Sequence, residues 1–170
     1  TAKMDFENKL IPGVLIKRYK RFFVDIKLKN KTVTAHCPNP GSMIKLLDKG
    51  NPVWITKSKN KDRKLKYTLQ IIEVDNIKIC VNTHVTNKIV QESIDKGVIK
   101  ELKSFKIIRP EKKFGKDTRF DFFLYNNKTD KKAFLEVKSV SLQRKIKHAE
   151  FPDSVTTVSY THLTLPTTLV

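Results

Sequence analysis

RFFVDIKLK (Arg21–Lys29) and TVTAHC (Thr32–Cys37), parted only by Asn30-Lys31, decide how the first half of the chain is read. Both are short, β-branched and aromatic, and the first alternates apolar with charged residues as a half-buried strand does. Similar segments lie on either side: VLIKRYK (14–20) before them, and PVWITK (52–57), KLKYTLQIIEV (64–74) and IKICV (77–81) after. Pro38-Asn39-Pro40-Gly41 breaks the chain a second time, and the charged tract Lys57 to Lys64 a third. Between them Ser42 is placed to cap a short helix, MIKLL, with Gly50 following its last turn. Many short strands with one short helix predict a small closed barrel of the OB type over residues 1–82, a shape that often binds nucleic acid on one face.

The pattern changes after Val81. Asn87 or Thr86 is expected to cap a helix, KIVQESIDK (88–96), whose Ile89, Val90 and Ile94 share a face and which stops at Gly97. Three strand-like segments follow, FKIIRPEKKF (105–114), TRFDFFLY (118–125) and KAFLEVKSV (132–140), the last two joined by a polar loop from Asn126 to Lys131. A helix followed by three strands predicts a second, α/β unit over residues 83–157, which makes the chain as a whole an α+β or α/β protein. The stretch 158–170 stands apart: it contains no acidic or basic residue other than His162, in a chain that is 31% charged. It reads either as an apolar closing strand or as foreign sequence.

Composition limits the partners. The chain has 35 Lys+Arg against 17 Asp+Glu, a formal charge of +18, and 29 of the cations are Lys. A polyanion would offset such self-repulsion, so nucleic acid is the expected partner. The charge is spread along the chain rather than gathered on one amphipathic helix, as a membrane surface would require. No apolar run approaches the roughly 18 residues of a membrane span. The first residues, TAKMDFENKL, lack the basic-then-apolar order of a secretory signal. Cys37 and Cys80 alone build neither a disulfide framework nor a thiolate zinc site. The cytoplasm is the expected compartment.

The candidate chemistry lies in the second unit. On a strand Glu136 and Lys138 share one face, with Leu135 and Val137 turned to the core. If the Asn126–Lys131 loop closes a symmetric hairpin about the Lys128–Thr129 bond, Asp121 falls opposite Glu136. Two carboxylates side by side need a proton or a cation between them, and hard oxygen ligands favour Mg²⁺ or Mn²⁺. Such an ion would activate water for phosphodiester hydrolysis, with Lys138 assisting, and Glu92 on the preceding helix is a candidate third acid. A bare Glu-x-Lys on a strand is otherwise an ordinary solvated ion pair.

Elsewhere, Lys17, Arg18, Tyr19 and Arg21, with Lys20, Phe22 and Phe23, interleave cations and rings, as do Arg63, Lys64, Lys66 and Tyr67. Either set suits base stacking with phosphate pairing, or equally a core whose cations are solvated. His36 and Cys37 are neighbours, so a strand sends them to opposite faces and a core role outweighs a nucleophile–base pair. His84, His148 and His162 show no metal-ligand spacing.

The strings GVLIKRYKRF (13–22), TAHCPNPGSM (34–43), RKLKYT (63–68), VNTHVTNKIV (81–90), RFDFFL (119–124), LEVKSVSL (135–142) and AEFPDSVT (149–156) resemble, in order, the sugar fermentation stimulation protein A (SfsA) family. The resemblance implies an N-terminal OB-type domain and a C-terminal restriction-endonuclease-like, PD-(D/E)XK domain. It also implies DNA binding and a regulatory role in sugar, notably maltose, metabolism. The family's nuclease-like motif falls on Asp121, Glu136 and Lys138, with Glu92 as the helix acid. After FPDSVT the family pattern continues with a Gly-containing basic segment and a helix. This chain departs from it there, and the second domain is expected to be incomplete. A DNA-binding protein with a Mg²⁺-dependent nuclease-type centre is thus the leading expectation. A non-catalytic DNA-binding co-regulator with a relic site and an RNA-binding barrel are the alternatives.

Overall fold

The computed structural model describes residues 6, 8–114, 118–145 and 148–150. Six strands open the chain: β1 (Leu10–Tyr19), β2 (Phe23–Lys27), β3 (Thr32–His36), β4 (Pro52–Lys57), β5 (Tyr67–Val74) and β6 (Ile77–Cys80). β1 pairs antiparallel with β2 on one side and β4 on the other, and β2 with β3 and β4 with β5 continue the ladder. A short parallel contact, Ala35 with Tyr67 and His36 with Thr68, joins β3 to β5. The ring β1-β2-β3-β5-β4 is therefore closed, and closure removes the exposed edges that an open sheet presents. β6 pairs with β5 through the two-residue turn Asp75-Asn76, both at positive φ as a tight hairpin requires.

β1 serves two partners because it bends. Its register with β2 shifts between Leu15 and Lys17, a bulge that increases local twist. Gly13 permits the close approach of β2: a Cβ there would lie 2.6 Å from Ile26 Cγ2. The interior is filled by Leu15, Val24, Ile26, Ala35, Cys37, Met43, Leu46, Val53, Ile55, Leu69, Ile72 and Val81. Burial of side chains of this size contributes about 1.5–3 kcal/mol each for the larger aliphatics, the main source of barrel stability.

The expected MIKLL helix does not form. Residues 43–47 run through bends and turns, with Met43 and Lys45 at positive φ. The Arg18 guanidinium explains why, because it takes the carbonyls of Asn39, Gly41 and Ser42 for itself. Met43 and Leu46 both enter the barrel core from this irregular loop.

The second part begins with a 3-10 turn at Thr83–Val85 and helix α1 (Thr86–Asp95). Neither Thr86 nor Asn87 caps that helix. Val85 holds the cap position without a side-chain bond, while Asn82 Oδ1 accepts from the His84 N–H one turn earlier. The 3-10 turn feeds directly into α1 and leaves Asn87 free for another task. Gly97, at φ +62, ends the helix as expected.

β7 (Lys106–Phe114), β8 (Thr118–Asn126) and β9 (Lys131–Leu135) form an antiparallel sheet in sequence order. Ile94 of α1 packs with Phe122 and Leu124 of β8, supported by Val90, Ile99, Leu102, Phe105, Ala133, Leu135 and Val137. Ile89 does not share that face and is 40% exposed. A small hairpin, β10 (Leu142–Lys145) with β11 (His148–Glu150), follows. The atypical segment 158–170 lies outside the described residues. No helix among the described residues is long and apolar enough to cross a membrane.

Candidate functional site

The β8–β9 hairpin has the register expected from its symmetric loop: Asn126 pairs with Lys131, and Phe122 with Leu135. One further step would set Asp121 against Glu136. The ladder stops short of it, since β9 ends at Leu135 rather than running through Val140 as the sequence suggested. The reason is visible at Asp121. Its Oδ2 accepts the Val137 N–H at 2.7 Å, so a side chain takes a donor that a backbone carbonyl would otherwise use. Alternation persists past the strand: Leu135, Val137 and Ser139 are partly buried, whereas Glu136, Lys138 and Val140 are exposed. Glu136 and Lys138 do share a side, and their Oε1 and Nζ atoms lie 2.8 Å apart.

Asp121 is further fixed by Asn87 of α1, whose Nδ2 donates to Oδ1 at 2.8 Å. The half-buried carboxylate is thus held by one donor on each oxygen, and each oxygen keeps a lone pair for another ligand. Asn87 is the residue of this grouping for which the sequence carries no signal. A polar side chain at a helix start is by local rules a cap, and this one reaches across to the sheet instead.

Glu92 behaves otherwise. Its carboxylate pairs with Lys96 one turn along α1, beside an open groove lined by Asn87, Gln91, Asp95 and Phe122. Among the described residues no three His, Cys, Asp or Glu side chains gather closely enough to hold an ion. Glu92 therefore does not complete a set with Asp121 and Glu136: the fold fixes Asp121 between Asn87 and Val137, and sets Glu136 on the exposed side beside Lys138.

On the barrel the candidate nucleic-acid residues separate into two groups. Arg18 is occupied internally: besides the three loop carbonyls, its Nε donates to Arg21 O at 2.7 Å. Tyr19 stacks on Phe23, with ring centroids 5.6 Å apart, and its hydroxyl donates to Asp25. Tyr67 packs against the barrel core with Lys31 above its ring. Lys17, by contrast, keeps 66% of its side chain exposed and sits 3.9 Å from Asp25. Arg21, Lys64 and Lys66 are exposed, Lys66 reaching the Lys61 carbonyl, and Arg63 Nη1 donates to Thr68 Oγ1 at 2.8 Å. The β1–β2 turn and the β4–β5 loop thus carry the solvated cations.

His36 and Cys37 make no catalytic pair. Burial pushes the Cys37 thiol up, and its Sγ–H points to Met43 Sδ at 3.5 Å. The first part is tied to the second near this point: Thr83 Oγ1 donates to Pro38 O at 2.7 Å, while Asn39 Nδ2 donates to Val81 O within the first part.

Residues 16–81 match the family described as the SfsA N-terminal OB domain, and residues 84–169 the sugar fermentation stimulation protein RE domain. The chain is similar to a sugar fermentation stimulation protein homolog of Pelagibacter ubique, 51% identical over 160 residues, covering 94% of this chain and 68% of the relative. A Marinomonas homolog of the same name is 46% identical over 160 residues, with 93% and 62% covered. The chain thus spans about two thirds of the length of these relatives. The solved structure of Pyrococcus furiosus SfsA in complex with Ca²⁺ superposes with a TM-score of 0.78 at 22% identity, covering 92% of this chain and 65% of that one. With both parts matched in order and the barrel closed in the ring described above, the chain belongs to the sugar fermentation stimulation protein (SfsA) family.

Proposed function

We propose that this protein binds DNA through its barrel and carries a divalent-cation-dependent nuclease-type centre in a restriction-endonuclease-like second domain. The observation that carries this reading is the fixing of Asp121, by Asn87 from the helix and Val137 from the chain after β9, one register step past the Phe122–Leu135 pair.

The donor set fits Mg²⁺ or Mn²⁺, which bind through one or two carboxylates and leave the remaining positions to water and phosphate oxygens. Pyrococcus furiosus SfsA, solved with Ca²⁺, binds another hard divalent cation, which supports that choice. Bound between Asp121 and Glu136, such an ion would supply positive charge to a scissile phosphate and lower the pKa of a water. The chain itself does the positioning. Asn87 and the Val137 amide orient Asp121, Glu136 contributes the second carboxylate, and Lys138 stands 2.8 Å from Glu136 where it can neutralise charge growing on the phosphate. Lys17, Arg21, Lys64 and Lys66 supply backbone affinity without base selection. The protein would act in the cytoplasm as a regulator of sugar metabolism, as its relatives' name suggests.

A second reading is favoured by the Glu136–Lys138 contact. With Glu136 neutralised by its own neighbour, the acids would be a relic and the protein a DNA-binding co-regulator without turnover. Plasmid nicking with and without Mg²⁺ separates the two. Asp121→Asn and Lys138→Ala should abolish Mg²⁺-stimulated cleavage while leaving DNA retention intact. Equal cleavage by the wild type and Asp121→Asn, or none by either, selects the second reading.

A further inference from the structure

The barrel carries a grouping that neither the acidic site nor the solvated lysines use. Phe22 stands in the β1–β2 turn with 42% of its surface exposed, and its ring meets His36 of β3 edge-on at a centroid distance of 6.2 Å. His36 pairs in register with Thr68 of β5, and Thr68 Oγ1 accepts the 2.8 Å bond from Arg63. Phe22, His36, Thr68 and Arg63 therefore form a continuous line. It crosses the barrel where β3 closes onto β5, with one member from each of the turn, two strands and the β4–β5 loop.

Two features of this line are unexplained by folding alone. His36 Nδ1 is buried and has no hydrogen-bond partner. Leaving such an atom unsatisfied is costly. The electrostatics point the same way: burial, Arg63 and His84 all disfavour a proton on His36. Among the described residues no acidic group is one of these influences, and Arg63 supplies the positive charge at this end of the line. The second feature is Phe22, a large aromatic ring left half in solvent at the tip of a turn, where it contributes little to the core.

We propose that Phe22, His36 and Arg63 form a subsite for one unpaired nucleotide of single-stranded DNA, the base stacking on Phe22 with its edge toward His36 and the phosphate on Arg63. This rests on the DNA-binding reading above and narrows it to the unpaired strand. A base within a duplex has both faces covered by its neighbours, so it has none to offer Phe22. An unpaired base has one, and stacking of that kind tolerates any sequence.

The test measures binding of full-length protein to a fluorescent oligo-dT strand and to a mixed-sequence duplex at one fixed salt concentration. Phe22→Ala should weaken single-strand binding roughly tenfold and leave duplex binding unchanged. Phe22→Trp should restore it, and Arg63→Met should lower the salt dependence by about one phosphate contact. Because Phe22 is partly solvated, the alanine variant folds, and the tryptophan variant controls for any loss of packing. Equal losses on both polymers, or no loss on either, overturn the subsite. Wild-type binding to duplex alone overturns it while the DNA-binding reading stands. Binding to neither overturns both.

Discussion

The barrel and the unit that follows it bury their apolar surface by different means. In the barrel, strands from both ends of the sequence segment close a ring around twelve buried residues, ten of them at 0% exposure. In the second unit, among the described residues, one face of a three-stranded sheet meets one short helix around Ile94, Phe122 and Leu124. The other face carries a ring cluster, Phe134 with Phe120 at 5.0 Å and with Phe123 at 5.2 Å, and Phe134 is 38% exposed. Closure makes a rigid platform, whereas an open sheet leaves strand ends where a carboxylate can be set against the backbone. The proposed function puts chemistry in the second place and grip in the first.

If that contrast is right, cavities should cost most in the barrel. Ile55→Ala, at a site with no solvent exposure, should destabilise the protein by about 4 kcal/mol in urea unfolding, and Leu135→Ala, half-buried under α1, by about 2. Equal losses would mean that the second unit is as tightly packed as the ring. Next in size is the Arg18 clasp. Removing a charged donor that serves four carbonyls leaves those acceptors exposed to poor solvation, so Arg18→Met should cost about 2 kcal/mol. Lys17→Met should leave stability within about 0.5 kcal/mol. DNA retention should show the reverse order, the Lys17 variant losing salt-dependent affinity and the Arg18 variant keeping it wherever it stays folded.

That reversal shows what was legible in the sequence. Alternation and turn residues marked all six barrel strands, because strand periodicity and turn chemistry are local. The β3–β5 closure was not marked, since it joins residues more than thirty positions apart through two register pairs. MIKLL looked helical because nothing nearby says that Arg18, more than twenty residues earlier, takes the carbonyls of the preceding loop. The β8–β9 register from Asn126 with Lys131 to Phe122 with Leu135 was legible from the symmetry of a short hairpin loop, but not that the ladder stops before Asp121 and Glu136. The Asn87 contact to Asp121 was not, because no local rule distinguishes a capping asparagine from one that reaches a sheet 34 residues away. Composition counted the cations correctly but could not say which were already engaged.

Asn87 gives a smaller effect in the second unit. Asn87→Ala should cost about 1 kcal/mol by removing one hydrogen bond to a charged acceptor. Asn87→Asp sets a second carboxylate beside Asp121, which raises the proton affinity of the pair and destabilises the fold near neutral pH. Added Mg²⁺ should raise the melting temperature of the Asp variant more than that of the wild type, as read by thermal unfolding. Equal shifts would separate Asn87 from any cation site.

The smallest effect returns to the barrel. His36 has its proton affinity lowered, first by burial and then by Arg63 and His84, from the ordinary value of 6.5. The unfolded chain therefore binds more protons than the fold as acid is added. Stability is full above pH 6.5, falls as the pH drops through that value, and levels off once the folded ring also protonates. Urea midpoints at about pH 7.5 and about pH 5 should differ less in His36→Gln than in the wild type. If the variant keeps the whole acid-side loss, the sensitivity belongs to the second unit and its carboxylates. The barrel would then be the pH-indifferent half of the molecule, and the neutral ring beside Phe22 would be a feature of binding alone.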